Sequence, residues 1–266
     1  MNNALIGSCA VGIVIVDGPA GTSAAFTSDE MAIIRLEVSH GFDILYDLSK
    51  LSPVNSHLLF VAEVRQVKLD LDPSVVPAPT GLAKASEYAP REQPWRDRAL
   101  SQMGFGSGRP GVAAYTQTLL SKSWPVGITP SSAYAAFFTK YNTAWMAYAD
   151  TSRRWLVMQF AWIGDTTGGF AGTGKRGPGT EQIDQVFAHE SCHIFGAPDE
   201  YFGSGCSPTG HFGELSVVNG NCQTFAGAPA LDCLMSNPPK LTLCNFTLGH
   251  LGLVDADGDG VLDASP

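Results

Sequence analysis

Charge is scarce in this chain: only 15% of its 266 residues are Asp, Glu, Lys or Arg. Cations are scarcer than anions, 16 against 25, and nowhere do Lys and Arg form a run. Proteins that follow a phosphate backbone rely on clustered cations, so a formal net charge of −9 with no basic patch argues against nucleic acid as a partner. No apolar run approaches the ~20 residues a spanning helix requires, so no membrane span is expected. The opening MNNALIGSCAVGIVIVDGPA lacks the positive segment of a secretory leader, and Val11 to Val16 reads better as a strand. IGSC, ending at Cys9, faintly resembles a lipoprotein cleavage site, but the apolar stretch before it is too short. Few charges and 29 glycines describe the Gly/Ser/Thr-rich surface of an exported protein, so a secreted or extracytoplasmic location is expected, with any leader already removed.

Hydrophobic residues make up 44% of the chain, enough to bury a sizeable core, which excludes disorder. After Val11 to Val16 and the turn DGPAG, apolar residues from Met31 to Leu48 recur every three to four positions, a long helix over Thr27 to Leu51 with Thr27 or Ser28 as its cap. His57 to Leu71 alternates as a second strand, and shorter helices are expected near Trp95 to Met103 and Val112 to Ser121. Three strand-like runs follow: SAYAAFFTKY, TAWMAYAD and RWLVMQFAWI. A Gly-rich loop from Gly164 to Gly179 leads to the helix TEQIDQVFAHESCHIF, with Thr180 placed to cap it and Gly196 to end it. Beyond Gly196 no periodicity is clear. The expectation is an α+β domain over residues 1–254, with an ordered lobe to about residue 196, a loop-rich lobe over 197–254, and an acidic tail from 255 to 266.

The densest chemistry lies in FAHESCHIFGAPDEY, residues 187 to 201. On a helix, His189 and His193 are one turn apart on one face, so both imidazoles can address one ion with Glu190 beside them. A catalytic zinc takes three protein ligands and leaves a position for water. Gly196 permits the sharp turn that returns the chain, and Asp199, six residues past His193, becomes the natural third ligand. The competing reading is a helix end that merely tolerates polar residues. Residue frequencies alone give H-E-x-x-H in roughly one chain in a hundred of this length, and requiring Gly and then a carboxylate at fixed offsets favours the metal site.

These residues resemble the metzincin zinc metallopeptidases, whose pattern is H-E-x-x-H-x-x-G-x-x-H or D, with the Asp form similar to the snapalysin-type branch. His189, Glu190, His193, Gly196 and Asp199 fill it position for position. The resemblance implies a two-lobed zincin fold with a mixed twisted sheet, a Met-turn at Met235 in CLMSN, and TAWMAYAD (Thr143 to Asp150) as an antiparallel edge strand above the cleft. It implies a zinc endopeptidase acting on protein or peptide, as a monomer, with Glu190 as general base for zinc-bound water. Some metzincins carry a Tyr two residues after the Met; here Asn237 stands there, and Tyr201 or His211 are the alternatives for steadying the oxyanion. A catalytically silent, metal-stabilised binding module of the same fold is the other reading, against which the intact Glu190 counts. In this scheme Asp199→Ala should weaken metal binding and Glu200→Ala should not.

GGFAGTGKRG nearly matches a phosphate-cradling loop, but Arg176 replaces the required Ser or Thr, and Pro178 and Gly179 separate it from the helix start. Nucleotide binding is set aside. Cysteines 206, 222, 233 and 244 cluster late in the chain with no C-x-x-C spacing, so bridges are favoured over free thiols or a second zinc. The simplest of three pairings joins Cys206 to Cys222 and Cys233 to Cys244. Cys9 and Cys192 stand alone, the latter reading as a buried apolar residue in the metal helix. In DADGDGVLD, Asp255, Asp257, Asp259 and Asp263 take positions 1, 3, 5 and 9 of a calcium loop, but position 12 is Pro266; a solvated acidic tail explains it equally well. His40, His57 and His250 read as structural residues.

Overall fold

The computed structural model describes residues 4–78, 85–143, 145–152, 154–160, 183–236 and 239–264, without the side chains of residues 85–90 and 126. The Gly-rich loop, Thr180, Asn237 and Pro266, each singled out above, lie outside the described residues.

A five-stranded sheet organises the ordered lobe. Its strands are β1 (Ser8–Asp17), β2 (Leu59–Lys68), β3 (Ser132–Thr139), β4 (Ala147–Asp150) and β5 (Trp155–Gln159), in the order β2-β1-β3-β5-β4. The first four in that order are parallel, and β4 joins antiparallel at the edge, pairing Tyr148 with Val157. Expected strand ends retract: the second strand loses His57 and Leu58 at its start and Leu69 to Leu71 at its end, and among the described residues of TAWMAYAD the strand is Ala147 to Asp150.

Helices α1 (Ser28–Ser49) and α4 (Ile183–Ile194) cover one face; α2 (Ala85–Gln102) and α3 (Gly108–Ser121) cover the other. Chirality requires this. The crossover from β1 to β2 and the one back past β1 to β3 run in opposite directions, so the same right-handedness puts their helices on opposite faces. Central strands are therefore covered twice, and β1 reads as a continuous apolar run because its alternate residues enter different layers. Val11, Ile13 and Ile15 pack with Ile34, Val38 and Phe187, whereas Ala10, Val14 and Val16 pack with Trp95, Val112 and Leu119.

The long helix starts at a capping box. The Thr27 hydroxyl accepts from the Glu30 amide at 3.2 Å, and the Glu30 carboxylate accepts from the Thr27 amide at 2.8 Å. Lys140, just past β3, donates to Glu30 at 2.6 Å and so ties the helix start to the end of the sheet. Gly41 sets how closely α1 approaches α4: a Cβ there would meet the Phe187 ring at 2.7 Å.

After α4 the chain is mostly loop, with a two-residue-per-strand hairpin, β6 (His211–Phe212) and β7 (Val217–Val218), and a short helix α5 (Asn245–His250) that its sequence had not announced. Leu251 and Leu253 return to the main core, and the Leu5 amide donates to the Leu251 carbonyl at 2.8 Å, which closes this segment onto the first strand.

Candidate metal centre

Helix α4 carries the motif. Its inner face buries Ile183, Phe187, Ala188 and Cys192 against α1 and the sheet, which leaves His189 and His193 turned toward the edge of β4. The helix stops at Gly196, whose φ of +94° only glycine adopts freely; a Cβ there would also stand 2.8 Å from the Gly213 Cα. The chain reverses and brings Asp199 back over the two imidazoles.

Its Oδ1 lies 3.1 Å from His189 Nε2 and 3.3 Å from His193 Nε2, and the three candidate ligand atoms fall within 4.8 Å of one another. Backbone carbonyls orient both rings. His189 Nδ1 donates to Leu234 O at 2.9 Å, and His193 Nδ1 donates to Ala197 O at 2.6 Å, so each Nε2 is the atom left for a metal. Glu190 is buried one residue along, and its Oε2 has no hydrogen-bond partner among the described residues. Two imidazoles and a carboxylate aimed at one point fit zinc. An unpartnered buried carboxylate oxygen beside them fits a group that handles a water proton.

Electrostatics agree with this geometry. Burial raises the Glu190 pKa against the opposing pull of His193 and His189. Burial also works to lower the His193 imidazolium, but hydrogen bonding to Asp199 and that residue's charge outweigh it and push His193 up to about 9. Asp199 is the converse case. Its burial is outweighed by hydrogen bonds from His189 and His193, which hold it well below the usual carboxylate range. Without a metal, these groups therefore keep one another company as an ion pair.

Two cavities open on the site. One, of about 400 Å³, is mainly apolar and is lined by Trp145, Met146, Val186, Tyr201 and Pro239 together with His189 and Glu190. The other, of about 460 Å³, runs along Ala147 to Ala149 and past His193 and Asp199 to Ser204. Tyr201 lines both, whereas His211 lines neither; its Nδ1 donates to Ser216 O in the hairpin. Burial, then the charges of Asp199 and Glu190, raises the Tyr201 phenol and keeps its proton in place.

Met235 is fully buried, and the backbone around it is tied to two sides of the centre: Leu234 O holds His189, and Met235 O accepts from the Glu200 amide at 3.0 Å. Glu200 is the residue that sequence reading undervalued. It is fully buried, with Oε1 accepting from Thr247 at 2.6 Å and from the Cys244 thiol at 3.1 Å, and Oε2 accepting from Asn221 at 2.7 Å. Asn219 adds a bond to Asp199 O at 2.9 Å. A carboxylate directly after a ligand was the available signal, but its partners lie 21 to 47 residues further on.

Cys206 and Cys222 are bridged. Cys233 and Cys244, expected as a second bridge, are not: both are buried thiols, with the Thr247 hydroxyl 3.3 Å and 3.5 Å from their sulfurs. Cys192 is buried in the core as expected. In the acidic tail, Asp255, Asp257 and Asp259 gather their oxygens within 4.8 Å, but Asp263 does not join them. It accepts instead from the Ala256 amide at 3.2 Å, and Asp255 accepts from Gly258 and Gly260, so backbone amides of the loop engage both carboxylates. His250 donates from Nε2 toward Val217 O and Val218 O, a structural role.

Comparison with protein-family models finds no match, and no curated protein matches the chain. Among solved structures it is similar to a zinc-dependent peptidase from Methanocorpusculum labreanum, at 11% identity and a TM-score of 0.38, over 91% of this chain and 99% of that one. So distant a likeness adds nothing to the reading of the site, which rests on its own residues.

Proposed function

We propose that this chain is a zinc-dependent endopeptidase of metzincin type, with His189, His193 and Asp199 as ligands and Glu190 as general base. The observation that carries this reading is the convergence of three ligand atoms within 4.8 Å beside a buried Glu190 oxygen that has no partner among the described residues. Bound there, zinc would supply a Lewis acid that polarises a carbonyl and brings the pKa of water from about 16 down toward about 7.

The chain's own groups do the rest. Glu190, with its pKa raised by burial, takes the proton from the attacking water and returns it to the departing amine. Tyr201, which keeps its proton and lines both cavities, donates to the carbonyl oxygen as negative charge builds there. Substrate is an extended peptide laid along β4. The Gln159 amide donates to Met146 O at 2.8 Å, so Met146 and Tyr148 turn their amides and carbonyls toward β5, and Ala147 and Ala149 turn theirs away, into the cleft. Main-chain pairing there binds a peptide without demanding particular side chains. The apolar cavity beside the centre then selects a large hydrophobic residue next to the scissile bond. The Cys206–Cys222 bridge supports an extracytoplasmic location for the enzyme.

The test is release of new amino termini from unfolded casein, abolished by a zinc chelator and restored by zinc. Glu190→Gln should retain about one zinc per chain and lose about 10²–10⁴-fold in turnover. A chain that binds zinc yet releases no termini in its wild-type form would instead be a silent binding module.

A further inference from the structure

Described residues of the segment from Cys233 to Cys244 touch the centre at several points. Its Leu234 carbonyl orients His189, its Met235 carbonyl takes the Glu200 amide, and its Ser236 and Pro239 line the apolar cavity. Pro239 O also accepts from Gln185 of α4 at 3.2 Å. At its base the two arms are clasped: Leu234 N donates to Thr242 O at 2.7 Å, Lys240 N to Cys233 O at 3.0 Å, and the Cys244 amide to Cys233 Sγ at 3.4 Å. The two sulfurs therefore close the mouth of this loop, within 4.8 Å of each other and of a Glu200 oxygen.

We propose that Cys233 and Cys244 are a thiol–disulfide couple whose closure locks the loop that orients His189 and walls the apolar cavity. The oxidant is a small-molecule disulfide such as oxidised glutathione. Two S–H bonds break and one Sγ–Sγ bond forms; two electrons and both protons pass to the glutathione disulfide, which leaves as two thiols. The Cys244 thiol then ceases to donate to Glu200 Oε1, while Thr247 and Asn221 continue to hold that carboxylate. Both thiols are buried, so exchange on the folded chain is slow, and the bridge forms mainly during folding in an oxidising medium. A metal held by Glu200, Cys233 and Cys244 is the rival use of the same atoms. It is disfavoured because both Glu200 oxygens already accept strong bonds and no further His, Cys, Asp or Glu joins the cluster among the described residues.

The experiment refolds the full zinc-loaded chain in glutathione buffers of graded ratio, quenches exchange with acid, unfolds the chain, alkylates the free thiols in denaturant, and maps peptides without reduction. Cys233 and Cys244 should be cross-linked in oxidising buffers and alkylated in reducing ones, with Cys9 and Cys192 alkylated throughout. Amide exchange at Leu234 to Ser236 and Lys240 to Leu243 should slow by roughly a hundredfold in the bridged form, and Cys244→Ser should abolish both effects. Alkylation of all four cysteines at every ratio would overturn the proposal. So would a second zinc per chain in the reduced form that Cys244→Ser removes. Neither readout uses turnover, so failure here is distinct from failure of the peptidase reading.

Discussion

Removing the Glu200 side chain should damage the protein in a way its neighbour Asp199 does not. The Glu200 carboxylate is fully buried and accepts from Thr247 at 2.6 Å, Asn221 at 2.7 Å and Cys244 at 3.1 Å. Hydrogen bonds to a charged group contribute about 1.5–3 kcal/mol each, and Asn221 keeps its bonds to Leu231, so the two short bonds dominate a loss of about 4 kcal/mol in Glu200→Ala. Against the 5–15 kcal/mol typical of a domain, about 4 kcal/mol is roughly a quarter or more of the total. The backbone bonds of residue 200, to Met235 O and from Gln223 N, survive the substitution. Metal binding should therefore weaken by only about tenfold, the low end for an outer-shell residue. This revises the expectation from sequence that Glu200→Ala spares the metal. Asp199 is only partly buried, and Asp199→Ala should abolish stoichiometric zinc binding and, above about pH 9, where its pair with His193 is already lost, should move the urea midpoint little. The assays are urea denaturation of the zinc-free chains and zinc titration against a competing chelator. A Glu200→Ala chain with the wild-type midpoint would refute the hub assignment, whatever its zinc affinity.

Four further outcomes concern His193, zinc binding, β4 and Tyr201. His193 is raised from 6.5 to about 9, so its pair with Asp199 stabilises the zinc-free chain fully below about 6.5 and loses that contribution as pH rises through about 9. The urea midpoint of the zinc-free protein should fall over that window and not in His193→Asn; a flat wild-type profile would contradict the pairing. For the same reason zinc binding near pH 7.5 should release a proton, seen as a calorimetric heat that changes with buffer ionisation enthalpy. Ala147→Pro removes an amide that faces the cleft, so KM for peptides should rise with zinc content unchanged, whereas Tyr148→Pro breaks the ladder to β5 and should lower stability instead. Equal effects at the two positions would invalidate the assigned parity. Tyr201→Phe should lower kcat much more than KM at constant zinc content; a change in KM alone would make Tyr201 a wall of the pocket and not a donor to the oxyanion.

What short-range rules govern was legible in the chain itself. A helix places residues four apart on one face, so His189 and His193 had to point together once α4 formed, and a residue with no Cβ had to stand where the chain reverses at Gly196. The capping box at Thr27 and Glu30 and the apolar spacing of α1 are equally local. The near-match of the Gly-rich loop to a phosphate site was rejected on similar grounds, at positions outside the described residues. Tertiary structure decided everything that depends on groups distant in sequence. Leu234, whose carbonyl fixes the His189 ring, is 45 residues away, and Thr247, which holds Glu200, is 47 away. Carbonyl acceptors leave no trace in residue type, because every residue has one. The same limit applies to Cys233 and Cys244, for which spacing proposed a bond and the fold supplies two thiols sharing a threonine hydroxyl. It applies also to β4, where alternation showed two faces but only pairing with β5 selected Ala147 and Ala149 to turn their backbone to the cleft, since hydrogen-bond parity belongs to the pair of strands and not to either alone.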